Sequence, residues 1–223
     1  MKVELNTNGK NAGKPFQADI RMDFKKDISG QFVGHFKLST AGKEYDGYIT
    51  MDGIYLDIPE SGGWFKRPLV QGASSAFVKL TTDPSSVAEI AEDPSIKRQS
   101  HNYWVISFKP STKYMVELME QSAGEEINKE GRELLETIIR NMNIYGEITI
   151  TKENFLPQML FLHIDAGKNK LLGDTSADSR SKFSSFNLSL SVELPPEAAA
   201  AKELPPGSST FPGLPEIKIP GLL

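Results

Sequence analysis

His35, His101 and His163 are the residues of this chain best suited to acid–base or metal chemistry, since an imidazole titrates near neutral pH and ligates zinc. Each falls in a separate stretch that reads as strand, and no His-x-His spacing brings two of them onto one metal. All three read as exposed strand residues, with His35 sharing its face with Lys37 and His163 with Asp165. The chain has no cysteine, which excludes a thiol nucleophile, a Cys-type zinc site and a disulfide framework. Neither a G-x-S-x-G elbow nor a G-x-x-x-x-G-K-[ST] loop occurs, and ESGGW reads as a hairpin turn. Glu125-Glu126 opens a helix, where acids complement the dipole, and Asp19 and Asp23 share the solvent side of a strand. No catalytic residue, metal or cofactor is assigned, and enzymatic activity is not expected.

What remains is aromatic and aliphatic. Trp64 and Trp104, with Phe65, Tyr103 and Phe108, either line a binding mouth or are plain core. WVISF is apolar on both faces, which fits a strand under helices or a patch exposed to a partner. The 25 basic and 29 acidic residues, net charge -4, are spread without long blocks, so no nucleic-acid partner is expected. No apolar run reaches the ~18 residues of a membrane span. Met1 leads directly into KVELN, and the native export signal is expected to have been trimmed.

The elements that position these residues follow from periodicity. From Phe16 to Leu69 apolar and polar residues alternate: Phe16, Ala18, Ile20, Met22 and Phe24 share one face, and Gln17, Asp19, Arg21, Asp23 and Lys25 the other. Ser29-Gly30, Ala41-Gly42, Asp52-Gly53 and Ser61-Gly62-Gly63 cut the region into hairpins, with Asp52-Gly53 expected to hold positive φ at both positions. Asp83-Pro84 before SSVAEIAE predicts a short helix. HNYWVISFK (101–109) returns to strand, and two helices follow, from Ser111 to about Gln121 and from about Glu126 to Met142. In the second, Ile127, Gly131, Leu134, Leu135, Ile138, Ile139 and Met142 form one stripe. YGEITITKENFLPQMLFLHIDAG (145–167) reads as an antiparallel pair, Ile148 and Ile150 of the first strand sharing an apolar face with Leu160, Leu162 and Ile164 of the second. The last strand is read as Phe183 to Leu194, with Phe186, Leu188, Leu190 and Val192 inward.

Roughly ten strands about 4.8 Å apart make a sheet on the order of 45 Å across, whereas three helices about 10 Å apart cover about 30 Å. Sheet curvature, missing N-terminal sequence, the C-terminal tail or an apolar ligand would make up the difference. The candidate lining of such a cavity is Phe24, Phe36, Leu38, Ile49, Leu56, Trp104, Phe108, Ile148, Leu162, Phe186 and Leu190.

The order of elements resembles the LolA-like fold of the carriers LolA and LolB, the sensor RseB and the mycobacterial lipoproteins LppX and LprG, and within it the Gram-positive-type lipoproteins of unknown function. The resemblance is carried by YDGYITMDGIYLDIPESGGWFKRPL (45–69) and by WVISF, two helices and IYGEITITKENFLPQMLFLHIDAG (144–167), and covers Lys2 to Leu194. It implies a mainly β, α+β domain over 1–194: a curved antiparallel half-barrel of about eleven strands with helices on its concave side. In relatives a cavity between sheet and helices holds acyl chains, and many are anchored in the cell envelope by an acylated cysteine after an N-terminal helix. This sequence departs there, since signal, cysteine and helix are absent; membrane attachment would run through a missing N-terminal lipid anchor.

Seven of the 14 prolines (Pro195, Pro196, Pro205, Pro206, Pro212, Pro215, Pro220) lie in 195–223, which reads as a Pro-rich tail. Phe211, Leu214, Ile217, Ile219, Leu222 and Leu223 are unusual for a disordered linker, and the tail is expected to dock on the sheet or in its groove. LPPGS lacks the threonine and membrane segment of a sortase signal. The expected function is an extracytoplasmic, non-enzymatic domain that binds a lipid or other hydrophobic ligand. The alternative is a sensor or interaction domain with a self-filled cavity and a protein partner in the cell envelope.

Overall fold

The computed structural model describes residues 1–11, 13–26, 32–50, 52–68, 90–123, 128–169, 173–186, 191–205 and 211–212. The strands are β1 (Lys2–Asn11), β2 (Lys14–Lys26), β3 (Phe32–Thr40), β4 (Lys43–Thr50), β5 (Gly53–Ile58), β6 (Gly63–Arg67), β7 (Ala91–Gln99), β8 (Tyr103–Pro110), β9 (Asn143–Thr151), β10 (Pro157–Asn169), β11 (Gly173–Ser184) and β12 (Lys202–Glu203). Among the described residues the longer helices are α1 (Thr112–Ala123) and α2 (Lys129–Arg140), and Ile90, just before β7, is helical as well. Among the described residues, twelve strands join one open sheet in the order β12-β6-β5-β4-β3-β2-β1-β11-β10-β9-β8-β7. The chain meanders from β1 out to β6, passes to the opposite edge between Arg67 and Ala91, and returns from β7 to β11. There β11 pairs antiparallel with β1, from Lys2↔Ser184 to Lys10↔Ser176. A curved, almost wholly antiparallel sheet with helices on one face is the architecture the resemblance implied, with twelve strands described in place of about eleven.

Turn chemistry accounts for the first meander. Ala41 and Gly42 both hold positive φ (51° and 77°) between β3 and β4, the geometry whose twist matches the flanking strands. Asp52-Gly53 does not share it: Thr50 pairs with Gly53, so Gly53 already belongs to β5. A Cβ there would sit 2.7 Å from the Arg67 carbonyl oxygen, so close strand approach, and not φ, calls for glycine. Gly62 and Gly63 hold φ of 94° and 100° in the β5–β6 turn. Ser29-Gly30 lies outside the described residues.

Three other expectations are corrected. Of the helix expected in SSVAEIAE, Ile90 is helical, but Ala91 and Glu92 already begin β7, an exposed edge strand carrying Pro94 and four charged side chains; residues 83–89 lie outside the described residues. An edge strand needs no apolar face and is protected by charge and proline, which erases the alternation by which strands are read. His101 sits in the turn before β8, not in a strand. The last strand of the return meander is Gly173–Ser184, not Phe183–Leu194; Leu188 and Leu190 lie outside the described residues, and Val192 is in no strand. From the region read as tail, Lys202 and Glu203 add β12 parallel to β6.

Both helices carry their starts in sequence. Ser111 Oγ accepts from the Tyr114 amide (3.1 Å) and Asn128 Oδ1 from the Gly131 amide (2.8 Å), each capping an otherwise unpaired donor. On α2, Ile138 and Ile139 are buried and Leu135 packs beside them, but Leu134, expected in the same stripe, is 52% exposed on the flank of the helix. Among the described residues no helix is long and apolar enough to cross a membrane.

Candidate functional site

Alternation places one apolar face across the sheet. Val3, Leu5, Ile20, Met22, Phe24, Phe36, Leu38, Tyr45, Leu56, Ile58 and Phe65 form a buried cluster running from β1 through β6, joined by Ile148, Ile150 and Leu160 from the return meander. A second cluster lies on the same face at the other end of β9 and β10, where Met115, Val116, Ile138 and Ile139 of the helices and Met142 pack on Ile144, Ile164 and Ala166. Tyr114 touches both clusters, and burial pushes its phenol up to about 12.

Three phenylalanines of this face lie down on glycines. A Cβ on Gly47 would meet the Phe36 ring at 2.2 Å, one on Gly146 the Phe108 ring at 2.5 Å, and one on Gly34 the Phe24 ring at 3.0 Å. Each is a cross-strand aromatic–glycine pair, Phe36↔Gly47, Phe108↔Gly146 and Phe24↔Gly34, in which the ring fills the space a side chain would take. Between them, Thr7, Ala18, Ser179 and Ser181 are small, and Thr7 Oγ1 donates to Ser179 Oγ at 3.2 Å. The face is therefore apolar in area and low in relief.

Of the candidate lining residues, Phe24, Phe36, Leu38, Leu56, Phe108 and Ile148 are buried together in the large cluster, and Ile49 and Phe186 pack against it half-buried. Leu162 packs instead against the helix-covered cluster. Trp104 belongs to neither and stacks on Phe155 with ring centres 5.6 Å apart. Leu190 lies outside the described residues. The proposed aromatic mouth does not assemble: Phe65 and Phe108 are core, while Trp64 faces outward beside Tyr48 (5.9 Å) and Tyr103 is 42% exposed. Among described residues, the cover of the large cluster comes from Tyr114, Ile90, Leu204 and Phe211. Phe211, from the tail, is 3% exposed. Ser61 Oγ donates to the Pro212 carbonyl at 3.1 Å.

The outer face holds His35 and His163. His35 Nε2 is 2.6 Å from Asp46 Oδ1, and His163 Nδ1 is 2.7 Å from Asp178 Oδ1. Each is a cross-strand pair with a tyrosine beside the imidazole, Tyr48 at 4.9 Å and Tyr145 at 4.8 Å. Neither imidazole has a hydroxyl partner among the described residues, so the geometry is that of an imidazole–carboxylate pair and not of an activated nucleophile. A shallow open depression of about 570 Å³ lies beside His163 and Asp178, lined by Asn8, Lys10, Gln17 and Ser176. Among the described residues no three potential metal ligands converge.

Sequence reasoning did not single out Arg67. Its guanidinium lies on the Phe65 side of β6, and burial lowers its pKa. The available signal was its position two residues after Phe65 in WFKRP, which puts both on one face.

Residues 1–203 match the family of unknown function DUF6612. No curated protein matches the sequence significantly. Among solved structures the chain is similar to LprF from Mycobacterium bovis, at 10% identity over 88% of this chain and 89% of that one, with a TM-score of 0.45. It is similar to MucB in the MucA/MucB complex of Pseudomonas aeruginosa at 12% identity, over 82% and 50% of the two chains, with a TM-score of 0.32. A LolA superfamily protein from Nitrosomonas europaea matches at 7% identity over 83% and 86%, with a TM-score of 0.28.

Proposed function

We propose that this chain, which belongs to the family of unknown function DUF6612, binds a lipid or other apolar molecule on the part of its inner face that α1 and α2 leave uncovered. It works outside the cytoplasm, in the cell envelope, and carries out no reaction. The observation behind this reading is the mismatch between the two clusters: α1 and α2 pack over Ile144, Ile164 and Ala166, while among the described residues the apolar face of β1 to β6 meets these two helices only at Tyr114. That second area is buried, so a ligand enters by displacing its cover. Phe211 is the candidate, since the tail is tied down by the two-residue β12 and the Ser61–Pro212 hydrogen bond. Binding would draw on about 0.8 kcal/mol per buried methylene before association costs, and chain specificity would be loose.

The test is organic extraction of the purified protein with mass spectrometry, beside native mass spectrometry of the intact chain. A stoichiometric co-purifying lipid supports the carrier reading. Absence of lipid, together with no uptake of a fluorescent fatty-acid probe by either the whole chain or a variant ending at residue 204, overturns it.

One observation favours a second reading, a sensor or protein-interaction domain filled by its own tail: Phe211 is as buried as Phe24. On that reading the same truncation lowers stability and exposes apolar surface without creating a probe site.

A further inference from the structure

β6 carries two consecutive basic residues with opposite surroundings. Lys66 faces the outer side, its Nζ 2.7 Å from Asp52 Oδ2 and 5.6 Å from the centre of the Tyr55 ring, and Tyr55 itself donates to Asp52 Oδ2 at 2.8 Å. Arg67 takes the inner side with Phe65, opposite Ile54, which in turn lies opposite Ile49. Its Nη1 is buried and has no hydrogen-bond partner among the described residues. Among the described residues, the inward positions nearest it on the neighbouring strands offer no acceptor side chain: Ile54 and Leu56 on β5, Gly47 and Ile49 on β4. A buried guanidinium nitrogen left unpaired is costly, and the fork geometry of arginine matches carboxylate and phosphate oxygens.

We propose that Arg67 is the polar anchor of the apolar site, taking the oxyanion headgroup of an amphiphile whose hydrocarbon chain lies along Ile54 and Ile49. The inference rests on the reading of the inner face as a binding site and assigns its ligand class: an anionic lipid, with a carboxylate or phosphate at the β6 edge and its chain toward β1. Ile49 and Ile54 are only half-buried, so the edge beside Arg67 is the accessible end of an otherwise buried face. A neutral wax or hydrocarbon would leave the guanidinium unpaired.

The experiment titrates the whole chain with oleate, with oleoyl lysophosphatidate and with uncharged oleyl alcohol, each below its aggregation threshold, and repeats the series with Arg67→Met. The wild type is expected to bind one or both anions about ten- to a hundredfold more tightly than the alcohol, the range of a charge-assisted hydrogen bond. Which anion gains distinguishes a carboxylate from a phosphate ligand. Arg67→Met is expected to erase the preference while changing affinity for the alcohol less than about threefold. Equal affinity of the wild type for all three overturns the anchor and leaves the apolar site standing, whether or not the variant folds. Binding of none of the three overturns both. An anion preference that survives in a folded Arg67→Met also overturns the anchor.

Discussion

The two apolar clusters share a sheet face yet are built differently. Under the helices, Val116 (0% exposed), Ile139 and Ile144 close on one another as in any α/β interface, with aliphatic side chains from both layers. Across β1 to β6 the sheet supplies most of the described side chains, its rings lie flat on glycines, and its centre is small and hydroxyl-bearing. A layer that fills its own cover needs large residues pointing up; one that receives a cover from elsewhere does better with a low, smooth surface. The difference separates structural core from candidate binding face.

Truncation on the two sides tests that division most strongly. Ile139→Ala and Leu38→Ala are each expected to cost about 2–4 kcal/mol in urea unfolding, because both remove buried aliphatic volume. Only Leu38→Ala should also weaken uptake of a fluorescent fatty-acid probe, by about fivefold for the lost contact area. Equal effects of the two variants on uptake would mean that the clusters are not functionally distinct.

A smaller effect is expected from filling the glycine beneath Phe36. Gly47→Ala places a methyl 2.2 Å from the ring, which must lift off the sheet into the space above. The expected cost is about 1–3 kcal/mol, and a ring standing in the site should reduce probe uptake as well. Gly146→Ala, beneath Phe108, raises the same clash and serves as a second instance. Unchanged stability and uptake in both variants would show that the flat rings are incidental.

Much of this was legible in residue order, for physical reasons that also mark where legibility stops. The first meander is read directly, because Ile20, Met22, Phe36, Leu38 and Leu56 sit at period two between turns that use glycine. Both helices are read close to their places, from Ser111 and from about Glu126, the second by its apolar stripe, but the cap that starts the second is Asn128, which the stripe alone does not mark. β11 escaped because, ahead of Phe183, its inward residues are Ala177, Ser179 and Ser181, small and mostly polar where the sheet crosses its middle opposite Gly9, Thr7 and Leu5. Nothing there alternates in hydrophobicity although the backbone is fully paired. For the site, alternation identifies which residues point inward, but whether a helix then covers them depends on long-range packing. So Leu162 and Leu38, equivalent in pattern, fall to different clusters.

The smallest effect checks the separation of the sheet's two faces. Asp52 accepts hydrogen bonds from Lys66 and Tyr55 on the outer side of β4, β5 and β6, and Lys66 followed by Thr50 holds its carboxyl well below the usual carboxylate range. A carboxyl depressed on folding contributes stability that is fully present above its unfolded pKa of about 3.9 and is lost as pH falls from there through the folded value. Asp52→Asn is therefore expected to lower stability by at most about 1 kcal/mol at pH 7, since the side chain is more than half exposed and solvent screens the pair. Below pH ~4 the gap between wild type and variant should narrow. Probe uptake should not change, because the sheet backbone lies between Asp52 and the inner cluster. A loss of uptake in Asp52→Asn would mean that β6 transmits changes from its outer to its inner side. Lys66 and Arg67 would then have to be treated as one coupled unit, not as a surface ion pair beside a ligand anchor.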